Sequence, residues 1–174
     1  MTRKTLLAAC AAAFLSVPAA MPAAAESPYT LDHVVDFLAS TAELGASRAI
    51  CIGSVEECMP PSAPGLDMRV QFDLDSDRLA PDAQQVLGVF AAALNDPRLA
   101  AADFRIEGHT DARGSATYND GLSERRAEAV RRFLIEAGVP EARLEAVGLG
   151  QHQPRTDNPL DDENRRVELR AVIR

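Results

Sequence analysis

Arg126 and Asp111 are the residues whose type and placement point most directly to chemistry. From Tyr118 to Ala137 the pattern predicts one helix. At about 100° per residue, Leu122, Ala129, Val130, Phe133 and Ala137 fall within a single arc. Arg126 falls near the middle of that arc and Asn119 close to it, whereas Glu124, Arg125, Glu128, Arg131 and Arg132 point away. A buried guanidinium keeps its proton and so needs an anionic partner. Two readings are open at this point. One is an internal salt bridge, with Asp111 as the candidate; the other is a seat for a ligand carboxylate.

Asp111 is placed by what precedes it. Phe104-Arg-Ile-Glu-Gly-His109 alternates apolar and charged side chains, the pattern of a half-buried strand. That strand runs into the polar loop Thr110-Asp111-Ala112-Arg113-Gly114-Ser115 and then into the helix of Arg126. An acid at a strand end and a base further along the next helix can face each other across a small cleft. Clefts at the carboxyl ends of strands are the usual ligand sites of open α/β sheets. A carboxylate and a guanidinium held apart suit a zwitterion: the acid takes an ammonium and the arginine grips a carboxylate with two prongs.

The segment Gly108-His-Thr-Asp-Ala-Arg-Gly-Ser-Ala-Thr-Tyr-Asn-Asp-Gly-Leu-Ser-Glu-Arg-Arg-Ala-Glu-Ala-Val130 closely resembles the signature of the OmpA-like C-terminal domain. The resemblance runs from about Leu66 to Arg174. It continues in Val70-Gln-Phe-Asp-Leu-Asp-Ser76, in Gly148-Leu-Gly150 followed by Pro154, and in Asn164-Arg-Arg-Val-Glu-Leu169. Four blocks in order are far more specific than one short motif. Members of that family bind the peptide stem of peptidoglycan without a covalent bond. The resemblance implies that Asp111 and Arg126 hold the amine and carboxylate of a diaminopimelate centre. It also implies that Asn119 and Leu122 line the pocket, with Thr110 and the Leu74-Asp75 turn at its rim.

The amino terminus and the charge agree with a cell-wall location. Arg3 and Lys4 precede the apolar run Leu6 to Val17, and Ala23-Ala24-Ala25 offers a cleavage site before Glu26. Residues 1–25 are therefore expected to be a secretory signal peptide, since the run is short for a membrane span. Leu7-Ala-Ala-Cys10 also resembles a lipoprotein cleavage motif. It would leave only Leu6 to Ala9 as apolar core, fewer than the roughly 7–15 residues such a segment needs. Processing at Glu26 leaves 16 Arg, no Lys and 26 acidic residues, a formal charge of −10. Such a chain should avoid nucleic acid and anionic lipid. The expected location is the periplasm, on the cell wall or at the outer membrane, with peptidoglycan as partner.

The exported part is long enough for one core and little more. Residues 26–58 read as a lead-in helix (Tyr29 to Gly45, with Thr30 in the capping position) and a short strand from Arg48 to Ile52. Residues 59–65 form a Pro-rich linker by composition. The lead-in, at roughly 40 residues, cannot supply the eight or so strands of a membrane barrel. Residues 66–174 give strands at Met68–Phe72, Phe104–His109, Leu144–Gly148 and Arg166–Ile173, with helices at Pro81–Leu94 and Tyr118–Ala137. The order β-α-β-α-β-β predicts an α+β two-layer sandwich, a mixed sheet with its helices on one face.

Other chemistries find less support. Cys51 and Cys58 are the only cysteines beyond the signal segment, and an even count in an oxidising compartment favours a disulfide between them. His109, Asp111 and Ser115 are close in sequence, but no nucleophile elbow surrounds Ser115. His109 is expected to end its strand and help orient the loop. His33, His109 and His152 stand in unrelated segments, and the side chains of Asp161-Asp-Glu163 diverge as in a solvated turn. No enzyme activity, metal or cofactor is expected. The alternative to peptidoglycan binding is a module for a periplasmic or outer-membrane protein partner, in which Asp111 and Arg126 satisfy each other.

Overall fold

A computed structural model of the chain describes residues 27–46, 64–70, 72 and 76–172. The expected signal segment, the strand at Arg48–Ile52, the Cys51–Cys58 bridge, most of the Pro-rich linker and the Leu74-Asp75 turn lie outside these residues. The described elements are α1 (Leu31–Ala46), β1 (Leu66–Asp67), α2 (Pro81–Leu94), β2 (Asp103–Gly108), α3 (Ala116–Glu136), β3 (Leu144–Gly148) and β4 (Val167–Val172). The strands form one sheet in the order β1-β4-β2-β3. β2 runs parallel to β3, while β4 is antiparallel to both β2 and β1. The fold is α+β with a mixed sheet, as the order of elements predicts.

Local chemistry sets the ends of these elements. Thr30 Oγ1 accepts the His33 amide at 3.3 Å and caps α1, and Pro81 opens α2, where its missing N–H costs nothing. Ser115 Oγ accepts the Tyr118 amide at 3.2 Å, so α3 starts at Ala116, two residues before the apolar period becomes visible. The strand expected at Met68–Phe72 is different. Asp67 Oδ1 accepts the Arg69 amide at 2.8 Å in a side-chain turn, and Arg69 takes a φ of +46°. Among the described residues, regular pairing here is therefore confined to Leu66 and Asp67, the Met68 amide donates to the Val167 carbonyl, and Phe72 forms an isolated bridge with Leu79.

One core joins all three helices to one face of the sheet. Val34, Val35 and Leu38 of α1 meet Phe90 and Leu94 of α2, Val130 and Leu134 of α3, and Phe104, Ile106 and Leu169 of the strands. The lead-in helix thus packs into the same core as the rest. Two glycines fix how α3 lies on the sheet. Gly108 and Gly148 are partners in the β2–β3 register, and a Cβ on either would collide with the α3 backbone at Ser123 or Glu124. This close approach brings the first turns of α3 beside the loop that leaves β2, where the site is built.

Candidate functional site

The loop after β2 is held by backbone and by one amide. The Thr110 amide donates to the Gly150 carbonyl at 2.9 Å, and the Ala112 amide to the Pro159 carbonyl at 2.8 Å. Asn119 Nδ2 reaches back from α3 to the carbonyls of Asp111 and Arg113, both at 3.1 Å, and to Gln151 Oε1 at 2.7 Å. Asn119 therefore positions the loop as well as facing the site. Residues 119, 122 and 126 recur at helical spacing, which turns Asn119, Leu122 and Arg126 toward one side.

These residues line a single cavity of about 770 Å³ together with Thr110 and Asp111. Phe72, Arg113, Tyr118, Asp162 and Arg165 complete its wall. Five of the residues expected at a ligand site are thus brought together. Leu74 and Asp75, the other two, fall outside the described residues. Arg113 and Arg165 escape sequence reasoning because their roles depend on Asp111. Their signal, basic residues inside two matched motifs, is visible only once the loop is folded.

Asp111 is buried and carries more partners than expected. Its Oδ1 accepts the Arg113 amide at 3.0 Å, and its Oδ2 takes Arg113 Nη1 at 2.6 Å and Arg165 Nη1 at 2.8 Å. Burial pushes this carboxyl up, but the bonds from Arg165 and from the amide and side chain of Arg113 outweigh it. The group is held below the usual carboxylate range and is ionised. Asp162 shares both arginines with it. The mutual Asp111–Arg126 neutralisation behind the interaction-module alternative is therefore not what satisfies the acid. A carboxylate has about four acceptor sites, so Oδ1 keeps capacity for one further donor.

Arg126 is buried to 7% exposure. Its Nε donates to the Ser76 carbonyl at 3.0 Å, and its guanidinium lies 5.0 Å from the centre of the Phe72 ring. A guanidinium has five N–H donors in a planar fork. The Ser76 carbonyl fixes Nε, the Phe72 ring lies beside the guanidinium, and the residue lines the cavity wall; a planar guanidinium is the group suited to gripping a carboxylate with two prongs. Three arginines and two aspartates line the cavity, in a chain whose overall charge is −8.

The hydrolase arrangement does not form. Ser115 Oγ is occupied as the cap of α3, and both ring nitrogens of the buried His109 lack a hydrogen-bond partner. His109 does follow the end of β2, but its ring holds no loop group in place.

Comparison with known proteins agrees with this architecture. Residues 71–168 match the OmpA family. The chain is 43% identical over 111 residues to the outer-membrane lipoprotein YfiB of Pseudomonas aeruginosa, covering 60% of this chain and 63% of that protein. It is 42% identical over 102 residues to the peptidoglycan-associated lipoprotein of the same species, covering 57% and 59%. The matches thus span less than two thirds of these relatives' length. The crystal structure of the peptidoglycan-associated lipoprotein from Burkholderia pseudomallei is similar at a TM-score of 0.53 and 38% identity, covering 59% of this chain and 88% of that one. The C-terminal domain of Helicobacter pylori MotB, 22% identical at a TM-score of 0.52, shares the fold.

Proposed function

The chain belongs to the OmpA family, and from that premise we propose that it anchors itself to peptidoglycan by non-covalent binding of the peptide stem. The observation that carries this reading is the shared cavity: an ionised Asp111 and a planar, buried Arg126 line one concave wall with Asn119, Leu122 and Thr110. The relatives named as peptidoglycan-associated support it. In the finer reading the ligand is the diaminopimelate centre. Its carboxylate lies on the Arg126 fork, and its ammonium donates to the remaining site on Asp111 Oδ1. Leu122 and Phe72 supply apolar contact for the methylene chain that leads from this centre to the rest of the stem. The protein acts as a binding module rather than an enzyme, exported by residues 1–25 to the periplasm and held at the cell wall or outer membrane.

The test is co-sedimentation of the exported chain with insoluble sacculi, alongside thermal melts. Wild-type protein is expected to pellet. Each charged contact is worth about 1.5–3 kcal/mol, so Asp111→Ala or Arg126→Ala should weaken binding roughly 10- to 150-fold. Arg126→Lys should fail too, because an ammonium cannot reproduce the two-pronged grip. Arg125→Ala, exposed on the other side of α3, should pellet like wild type. A folded Asp111→Ala variant that also pellets like wild type would falsify the assignment.

A further inference from the structure

A second cavity of about 420 Å³ adjoins the first and shares Phe72, Arg126, Asp162 and Arg165 with it. Val70, His109 and Arg166 line it but not the first, and the last two carry its own polar groups. These two residues are cross-strand neighbours, tied by the His109 amide donating to the Arg166 carbonyl at 2.9 Å. Both are more than nine-tenths buried. Both ring nitrogens of His109 are buried without a hydrogen-bond partner, and so is Nη1 of Arg166, whose Nε and Nη2 donate to Glu168 at 2.6 Å and to the Gln153 carbonyl at 3.3 Å. The hydroxyl of Thr110, which lines the adjoining cavity, is in the same state. Buried polar groups left without partners are costly and uncommon, and each one calls for a ligand or water.

The donors decide what kind of ligand fits. A guanidinium can only donate, and a neutral imidazole offers one N–H. Three arginines and one aspartate line this cavity, so it favours an anion. A metal ion is the rival, because ligand atoms of Glu107, His109 and Glu168 lie within 4.8 Å of one another. Those carboxylates are already taken. Glu107 accepts Arg170 at 2.9 Å, while Glu168 accepts Arg166 at 2.6 Å and both Arg155 and Arg170 at 2.9 Å. A cation would have to displace three guanidiniums, whereas an anion meets the vacant donors directly.

We propose that this second cavity is a carboxylate subsite continuous with the first, taking a further carboxylate of the same stem peptide. It rests on reading the first cavity as a peptidoglycan site. The carboxylate accepts from Arg166 Nη1 and from the ring N–H of His109, beyond the zwitterion held by Asp111 and Arg126. The ring of His109 is neutral at physiological pH and so keeps one N–H to donate. Burial, and then Arg166, hold its pKa down at about 4, with Arg170 and Arg155 adding to the effect and Glu168 opposing it.

The experiment follows the His109 ring resonances by NMR in the exported chain while three probes are added. Acetate tests the subsite alone. Diaminopimelate and lysine test the link between cavities, since lysine is the same skeleton without the second carboxylate. Acetate is expected to move the His109 resonances and raise the midpoint of its titration. Diaminopimelate should bind at least about tenfold more tightly than lysine, and Arg166→Gln should remove both effects. Should that variant fail to fold, the wild-type titrations still decide. No His109 response to acetate, with diaminopimelate and lysine binding equally, overturns the subsite and leaves the first cavity's reading standing. A His109 response to acetate with no binding of diaminopimelate overturns the stem peptide as its source, and the first cavity's reading with it. A His109 response to zinc in place of acetate overturns the anion assignment.

Discussion

The two faces of the sheet are buried to a similar degree and built from opposite chemistry. Toward the helices stand Phe104, Ile106, Val167 and Leu169, all at 1% exposure or less. On the other side Glu107, His109, Arg166 and Glu168 lie between 1% and 9%. The apolar face needs only volume and shape, so each side chain stabilises the fold largely on its own. The charged face holds only as a set. Arg155 joins Asp67 to Glu168 and so ties the edge strand β1 to β4, while Arg170 joins Glu168 to Glu107 across to β2. Burial on one face supplies stability; on the other it fixes position, including that of the unpartnered donors beside the site.

The first way to break this contrast is on the apolar face. Phe104→Ala should cost about 3–5 kcal/mol in denaturant unfolding, as transfer and cavity terms add. A loss below about 1 kcal/mol would mean that the helix-facing layer does not carry the fold.

Next comes the charged face. Glu168→Ala should cost about 3 kcal/mol, because it strips a partner from buried Arg166. The double variant Glu168→Leu, Arg166→Leu should recover most of that, since a buried pair contributes little beyond its apolar replacement. If the double variant is as unstable as the single one, the ladder contributes stability of its own and the contrast fails.

The smallest of the three effects is read against pH. His109 is held at about 4 in the folded chain, against about 6.5 when unfolded. The unfolded state therefore binds more protons between these values. The stability due to the neutral ring is complete above pH 6.5 and is lost as pH falls toward 4, with a slope of at most about 1.4 kcal/mol per pH unit. The Asp111 and Glu168 carboxylates, both held low, lose their contributions at more acid pH, with the same sign. His109→Gln should flatten the stability profile between pH 6.5 and 4; an unchanged slope would remove His109 as its source.

The same contrast explains what the sequence could and could not reveal. Pro81–Leu94 and Leu144–Gly148 are read to the residue, because Pro, Gly and apolar period act locally. Met68–Phe72 is not, because one side chain, Asp67, turns the backbone out of the strand. On α3 the inward arc is right for Leu122, Arg126, Ala129 and Val130, but it misses the buried Ala127 and Leu134 and includes the exposed Ala137. The alternation around Phe104 reads as a half-solvated strand, yet Glu107 is buried under Arg170, 63 positions away. In the site, Asp111 and Arg126 are legible as charges out of place. Arg165, which holds Asp111 from 54 positions away, is not, because no local pattern encodes that pairing.

The central claim is that one cavity grips both ends of a zwitterion. Calorimetric titration of a soluble, diaminopimelate-containing stem peptide into the purified protein tests it most directly. The account predicts saturable binding at one site per chain, weakened roughly 10- to 150-fold by Asp111→Ala and by Arg126→Lys. Binding that persists undiminished in the folded Arg126→Lys variant, or no binding to wild type, would contradict it.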